Sequence, residues 1–359
     1  CLVARVGAWV VALSNDAQFV FGVLAALAAS VWCWRAAAAR LAWQELDASK
    51  WLLWPMMLMV LFYQLSQQQI FAAGWQNLAW CAALPAAAAL LWRDGHSLPP
   101  RLSKLAHLSL LWMILLALAM ELFWFTQDLP WGMSAWASGL MMAAGGMLIF
   151  LVSEAVHRQV WPFRVWPALY ASQAMIPVAV ALGCLLMLTN VQDGTVYGQT
   201  YLPLINPLEE GAAFALLGLT IFYRVSRRYF PLQLSVCRPW PIVALLALGF
   251  WWLNGLLLRA LAWYGEVAWS ITPLWHSRLI QTTFALVWTL VALTVMLRAT
   301  RRLSRREWLC GAALLGIVIV KLMLVDSAGG GGLARAVAFI GVAILVLIVG
   351  YFSPLPPKA

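Results

Sequence analysis

Nine ionisable residues in the carboxyl-terminal part of the chain could carry chemistry: Glu209, Glu210, Arg259, Glu266, His276, Arg278, Lys321, Asp326 and Arg335. The carboxylates and the histidine are of the types that act as general acid or base, and the cations bind anions or lock carboxylates in ion pairs. Glu121 and Asn254 are additional candidates. What makes these residues a group is depth in a membrane, where an ionised side chain needs a partner or water.

Each also has a simpler role. In NPLEEG, Asn206 reads as an N-cap, Pro207 as the first helical residue and Glu209 as the N3 carboxylate that reaches back to the cap. Glu210 has no such task, which makes it the more interesting carboxylate. Arg259 and Lys321 can extend to a nearby interface. Lys321 and Asp326 are five apart in the sequence, roughly 140° around a helix, so each needs a partner from elsewhere. The expected contact sets Lys321 and Arg335 against Glu209, Glu210 or Glu266. Asn254, at mid-membrane, reads as an interhelical hydrogen bond.

The elements that must position these groups are membrane helices. Of the 359 residues, 64% are hydrophobic and 10% charged, far from the soluble range of about 25% charged. Apolar runs without period-2 alternation lie near 17–38, 49–65, 70–92, 106–127, 133–156, 166–189, 206–224, 238–262, 278–298, 307–325 and 332–352, after a shorter run at 1–13. The fold class is therefore all-α, a polytopic transmembrane helical bundle of about 11–12 spans with short loops. No soluble domain fits, and residues 1–359 read as one multi-pass domain whose amino end is either processed or cut. Cys1 as a lipidated residue is disfavoured by the nearby Arg5.

Orientation follows from the basic residues. With the carboxyl terminus in the cytoplasm of a bacterial inner membrane, all Lys and Arg except Arg259, Arg278, Lys321 and Arg335 fall on the inner side. Those four lie at outer helix ends, level with Glu209, Glu210, Glu266 and Asp326. The net charge of +10 thus reflects topology, and nucleic acid is excluded as a partner. The 23 tryptophans fit interfacial belts. Trp263, Trp269 and Trp275, at six-residue spacing, fit a segment lying on the outer interface. Pro55, Pro85 and Pro177 predict kinks or breaks. Gly139 with Ala143, and Ala312 with Gly316, predict close helix approach. The sequence Gly329 to Gly332 predicts a short outer turn.

Phosphate-loop, zinc-protease, nucleophile-elbow and dinucleotide signatures are absent, and the six cysteines show no CxxC spacing. His96, His107, His157 and His276 are isolated, so no metal set and no cofactor is expected. Membrane lipids are the expected partners, with other membrane subunits as a further class.

The segments WLCGAALLGIVIVKLMLVD and LARAVAFIGVAILVLIVGYFSPLPP resemble the carboxyl-terminal signature of the bacterial predicted membrane proteins grouped as domain-of-unknown-function family 2339. TYLPLINPLEEGAAFALL resembles the family's short Pro-Leu-Asn-Pro motif before a helix. The resemblance covers 196–224 and 307–356 and implies the carboxyl-terminal part of a longer protein or a short relative. It implies fold and location but no reaction. Three functions remain open: transport or flipping of an envelope-related or lipid-linked substrate at the outer charged site, an envelope transferase, or a structural or assembly subunit.

Overall fold

A long apolar run in lipid must close its backbone hydrogen bonds within itself, and helix is the only regular structure among the described residues. The computed structural model describes residues 16–66, 76–128, 134–196, 200–229 and 239–322, together with 340, 341, 343, 344, 347 and 351. In chain order the helices are α1 (Asp16–Leu41), α2 (Gln44–Ala48), α3 (Leu53–Ser66), α4 (Gln76–Asp94), α5 (Pro100–Asp128), α6 (Ser134–His157) and α7 (Pro167–Ala171). There follow α8 (Ile176–Leu188), α9 (Pro207–Tyr229), α10 (Pro239–Tyr264), α11 (Ile271–His276), α12 (Arg278–Arg301) and α13 (Arg305–Lys321).

Among the described residues, six helical stretches are long and apolar enough to cross a membrane: Gly22–Leu41, Pro100–Gln127, Ala135–His157, Pro167–Val191, Trp240–Tyr264 and Arg278–Arg301. The all-α polytopic bundle is thus borne out. The expected spans at 49–65 and 307–325 correspond to α3 and α13, where the described residues end at Ser66 and Leu322. The expected span at 332–352 is described only at its six helical positions. Asp326, Arg335 and the four-glycine turn lie outside the described residues.

Pro177 and Pro55 sit in the first turns of α8 and α3, where a missing N–H leaves no hydrogen bond unmade. Each of these helices follows a short 3-10 segment, Gln173–Met175 and Ser49–Leu52. The break expected in the 166–189 span therefore falls just ahead of the proline. Its loosened backbone finds a donor from another helix, since Trp112 of α5 gives its indole N–H to the Ala174 carbonyl at 3.0 Å. Pro85 remains inside α4.

Packing divides the chain into two compact units, Cys1–Leu256 and Leu257–Ala359, with the boundary inside α10. In the first unit one apolar core gathers Leu24, Met57, Leu61, Ala83 and Leu90 from α1, α3 and α4. A second gathers Met142, Ile149, Met175, Leu186 and Ala215 from α6 to α9. In the second unit, Ala292 and Met296 of α12 pack with Leu315 of α13. Leu246, Leu253, Leu286 and Leu290 are exposed on the long apolar helices α10 and α12, as surfaces that lipid covers must be.

The closest helix pair is α6 with α9. A Cβ added to Gly146 would collide with the Phe214 backbone, one on Gly211 with the Gly139 backbone, and one on Gly218 would lie 2.7 Å from Gly146 Cα. Gly139 does mark a close approach, but the glycine that continues it is Gly146. A seven-residue step returns to nearly the same helix face, within about 20°, whereas a four-residue step drifts further. On α13 the tight position is Gly311, against Met296 and Ala292, while Gly316 has open space around it.

Candidate functional site

The start of α9 is fixed by its cap. Asn206 Oδ1 accepts from the Leu208 N–H at 3.0 Å, and its Nδ2 donates to the Gly194 carbonyl at 2.8 Å. Asn206 thus ties the helix to the preceding loop. That loop is held at further points: Gln192 Nε2 donates to Ser138 Oγ at 2.6 Å, and Asn190 Nδ2 to the Trp251 carbonyl at 2.8 Å.

These restraints place Tyr201 over the first turn of α9. Glu209 is 1% exposed, and its Oε1 accepts from Tyr201 Oη at 2.7 Å while Oε2 accepts from Trp252 Nε1 at 2.6 Å. A phenol and an indole, each with one apolar body and one polar tip, enclose the carboxylate. Asn206 caps the helix, and the Glu209 carboxylate accepts from two aromatic donors outside its helix. Glu210 is exposed. In the same unit Glu121 is half-buried on α5, and Asn254 donates one amide hydrogen to the Phe250 carbonyl of its own helix at 2.6 Å.

In the second unit Arg259 is 1% exposed, which makes it one of the largest fully buried side chains. Glu266 is exposed, at a backbone φ of 52° just after α10. His276 ends α11 and Arg278 opens α12, and both are exposed. The six residues of α11 carry Ile271 and Trp275 outward, consistent with the interfacial segment expected from the tryptophan spacing. Lys321 is half-buried and donates from Nζ to the Gln281 carbonyl of α12 at 2.7 Å.

Beside that contact lies a groove of about 440 Å³. Its walls are apolar side chains of α11, α12 and α13, among them Leu274, Phe284, Trp288 and Ile317, and among the described residues Lys321 is the only charged one lining it. An ammonium at the end of an apolar groove offers one anion contact and a long apolar surface.

Two arrangements escaped sequence reasoning. Lys50, 3% exposed, bridges Asp47 at 2.6 Å and Asp94 at 2.9 Å, and Arg35 meets both Asp94 oxygens through Nε at 3.0 Å and an Nη at 3.2 Å. Burial pushes the Asp94 carboxyl upward, but the Lys50 and Arg35 hydrogen bonds and charges outweigh it and hold the group below the usual range. The available signal was that these residues all end apolar runs on one side of the bundle. In the second arrangement, His107 Nδ1 and Tyr170 Oη lie 2.8 Å apart, both buried, joining α5 to α7. Among the described residues no group of three His, Cys, Asp or Glu side chains is placed to hold a metal ion.

No curated protein and no solved structure matches the chain. A family model described as predicted membrane protein, domain of unknown function 2339, matches residues 1–356, extending the resemblances at 196–224 and 307–356 to the helices before and between them. With its helical spans, the chain belongs to this family of membrane proteins.

Proposed function

We propose that this membrane protein carries an anionic, lipid-linked substrate, with the substrate's tail against α11, α12 and α13 and its charged group at Lys321. The observation that carries this reading is the apolar groove with one ammonium in its lining. A neutral lipid would gain nothing from Lys321, and a small soluble anion would gain nothing from Phe284, Trp288 and Ile317; an amphiphile uses both. The chain is read as one multi-pass domain of a bacterial inner membrane with its carboxyl terminus in the cytoplasm, which puts the groove at the outer face.

The test uses the full chain in vesicles with a lipid bearing a fluorescent phosphate headgroup, and follows the headgroup's appearance in the opposite leaflet. Faster appearance with the wild type, lost in Lys321→Met and kept in Lys321→Arg, supports the carrier. Equal rates for wild type and a well-folded Lys321→Met reject it. Equal rates with and without protein reject it as well.

A further inference from the structure

Away from the Lys321 groove, the first unit has a cavity of about 390 Å³, with polar groups set among apolar and indole walls, where α4 ends, α5 begins and the segment before α7 crosses. Its lining includes His96, Ser103, His107 and Arg164, with the indoles of Trp161 and Trp166, and among the described residues no carboxylate. Among the described residues neither His96 nor Arg164 has an ion-pair partner.

We infer that this cavity is a binding site for a phosphate group. Four features converge on an anion of that kind. Arg164 presents a planar set of donors suited to phosphate oxygens. His107 and Ser103, 2% and 5% exposed, form a fixed polar floor that is already built without ligand, since His107 is held by Tyr170 and Ser103 Oγ accepts from Trp166 Nε1 at 3.3 Å. Pro100 starts a helix of 29 residues at the cavity, so the positive end of that helix's dipole lies there. Lys104 Nζ stands 4.7 Å from the centre of the Trp166 ring, which adds a further positive charge at the rim.

The two acidic groups nearest in sequence to these elements are already paired, Glu154 with Arg158 at 2.7 Å and Asp94 with Lys50 and Arg35. The field in the cavity is therefore cationic. A basic pocket between membrane helices, walled by indoles at the level of the headgroups, takes the phosphate of an anionic phospholipid or of a soluble phosphate ester. The chemistry is the same, and the source is decided by experiment.

The full chain in nanodiscs is exposed to phosphatidylglycerol carrying a photoreactive headgroup, and the crosslinked peptides are mapped. The expected crosslinks fall between residues 92 and 107 and between 161 and 166, separate from any at the Lys321 groove. They fall about tenfold in Arg164→Gln, the loss of one charge-assisted contact. They persist in Arg40→Gln, which removes an exposed charge from the same unit but does not line the cavity. In parallel, glycerol phosphate is titrated calorimetrically into protein held in zwitterionic lipid. Saturable binding that is lost in Arg164→Gln, without the lipid crosslinks, assigns the site to a soluble ester. Equal crosslinking in wild type and Arg164→Gln, or equal loss in Arg40→Gln, overturns the site; so does the absence of both signals. The Lys321→Met variant leaves this pattern unchanged, so the two sites stand or fall separately.

Discussion

Trp252 on α10 donates its indole N–H to Oε2 of Glu209 on α9 at 2.6 Å, across 43 residues of sequence. With Tyr201 on the other oxygen, the carboxylate is clasped from a loop and from a helix at once. Trp252→Phe keeps an aromatic ring, though a smaller one, and removes the donor, which costs about 1–3 kcal/mol when a buried acceptor loses it. Thermal unfolding in detergent should show that loss, while Glu210→Gln, on an exposed neighbour, stays within about 0.5 kcal/mol. Equal effects of the two variants would contradict the buried role of Glu209.

The glycines of α6 and α9 give a contrast within one residue type. Gly146→Ala and Gly211→Ala force a methyl group onto backbone and should destabilise by about 1–3 kcal/mol. Gly183 and Gly249 have nothing within 4 Å, and alanine there should be neutral or stabilising by up to about 1 kcal/mol. Denaturation midpoints of the four single variants check the ordering.

Lys50→Met leaves Asp47 and Asp94 with fewer cations in a place where Lys50 itself is almost fully covered. Removing one member of a buried ion pair costs about 3–5 kcal/mol. Folded yield and unfolding temperature should both drop. Arg40→Gln, an exposed cation of the same region, serves as the neutral reference.

Asp94 makes stability fall in acid. Its folded pKa is depressed, so its contribution is fully present above the ordinary value of 3.8 and is lost as pH falls from there through the lower folded value. Unfolding temperature measured downward from neutral pH should therefore show a loss below about pH 4. Asp94→Asn should start lower at neutral pH and lose less across that window.

The helices were legible because lipid imposes one rule on every apolar run, and the break near Pro177 was legible because proline belongs at a helix start. What the sequence hid were partners. Glu209 follows a capping pattern by spacing, and the spacing could not show that its oxygens also accept from Tyr201, eight residues back, and Trp252, on another helix. Lys50 read only as an inner-side charge and Asp94, 44 residues on, carried no expectation until packing put their atoms 2.9 Å apart. The Lys321 groove also needed three dimensions, because Gln281 and Phe284 meet Lys321 only when α12 and α13 lie side by side.

The glycine contact between α6 and α9 also bears on motion. Where two backbones touch, no layer of side chains remains that could exchange rotamers and let one helix slide along the other. This pair therefore behaves as a rigid keel, and compliance in the first unit is left to elements joined by interrupted backbone. The step from α7 through Gln173–Met175 to α8 is such a joint, with Tyr170 just before it and the Trp112 contact at Ala174 inside it. A change at the His107–Tyr170 contact would then bend α7 against a stationary keel.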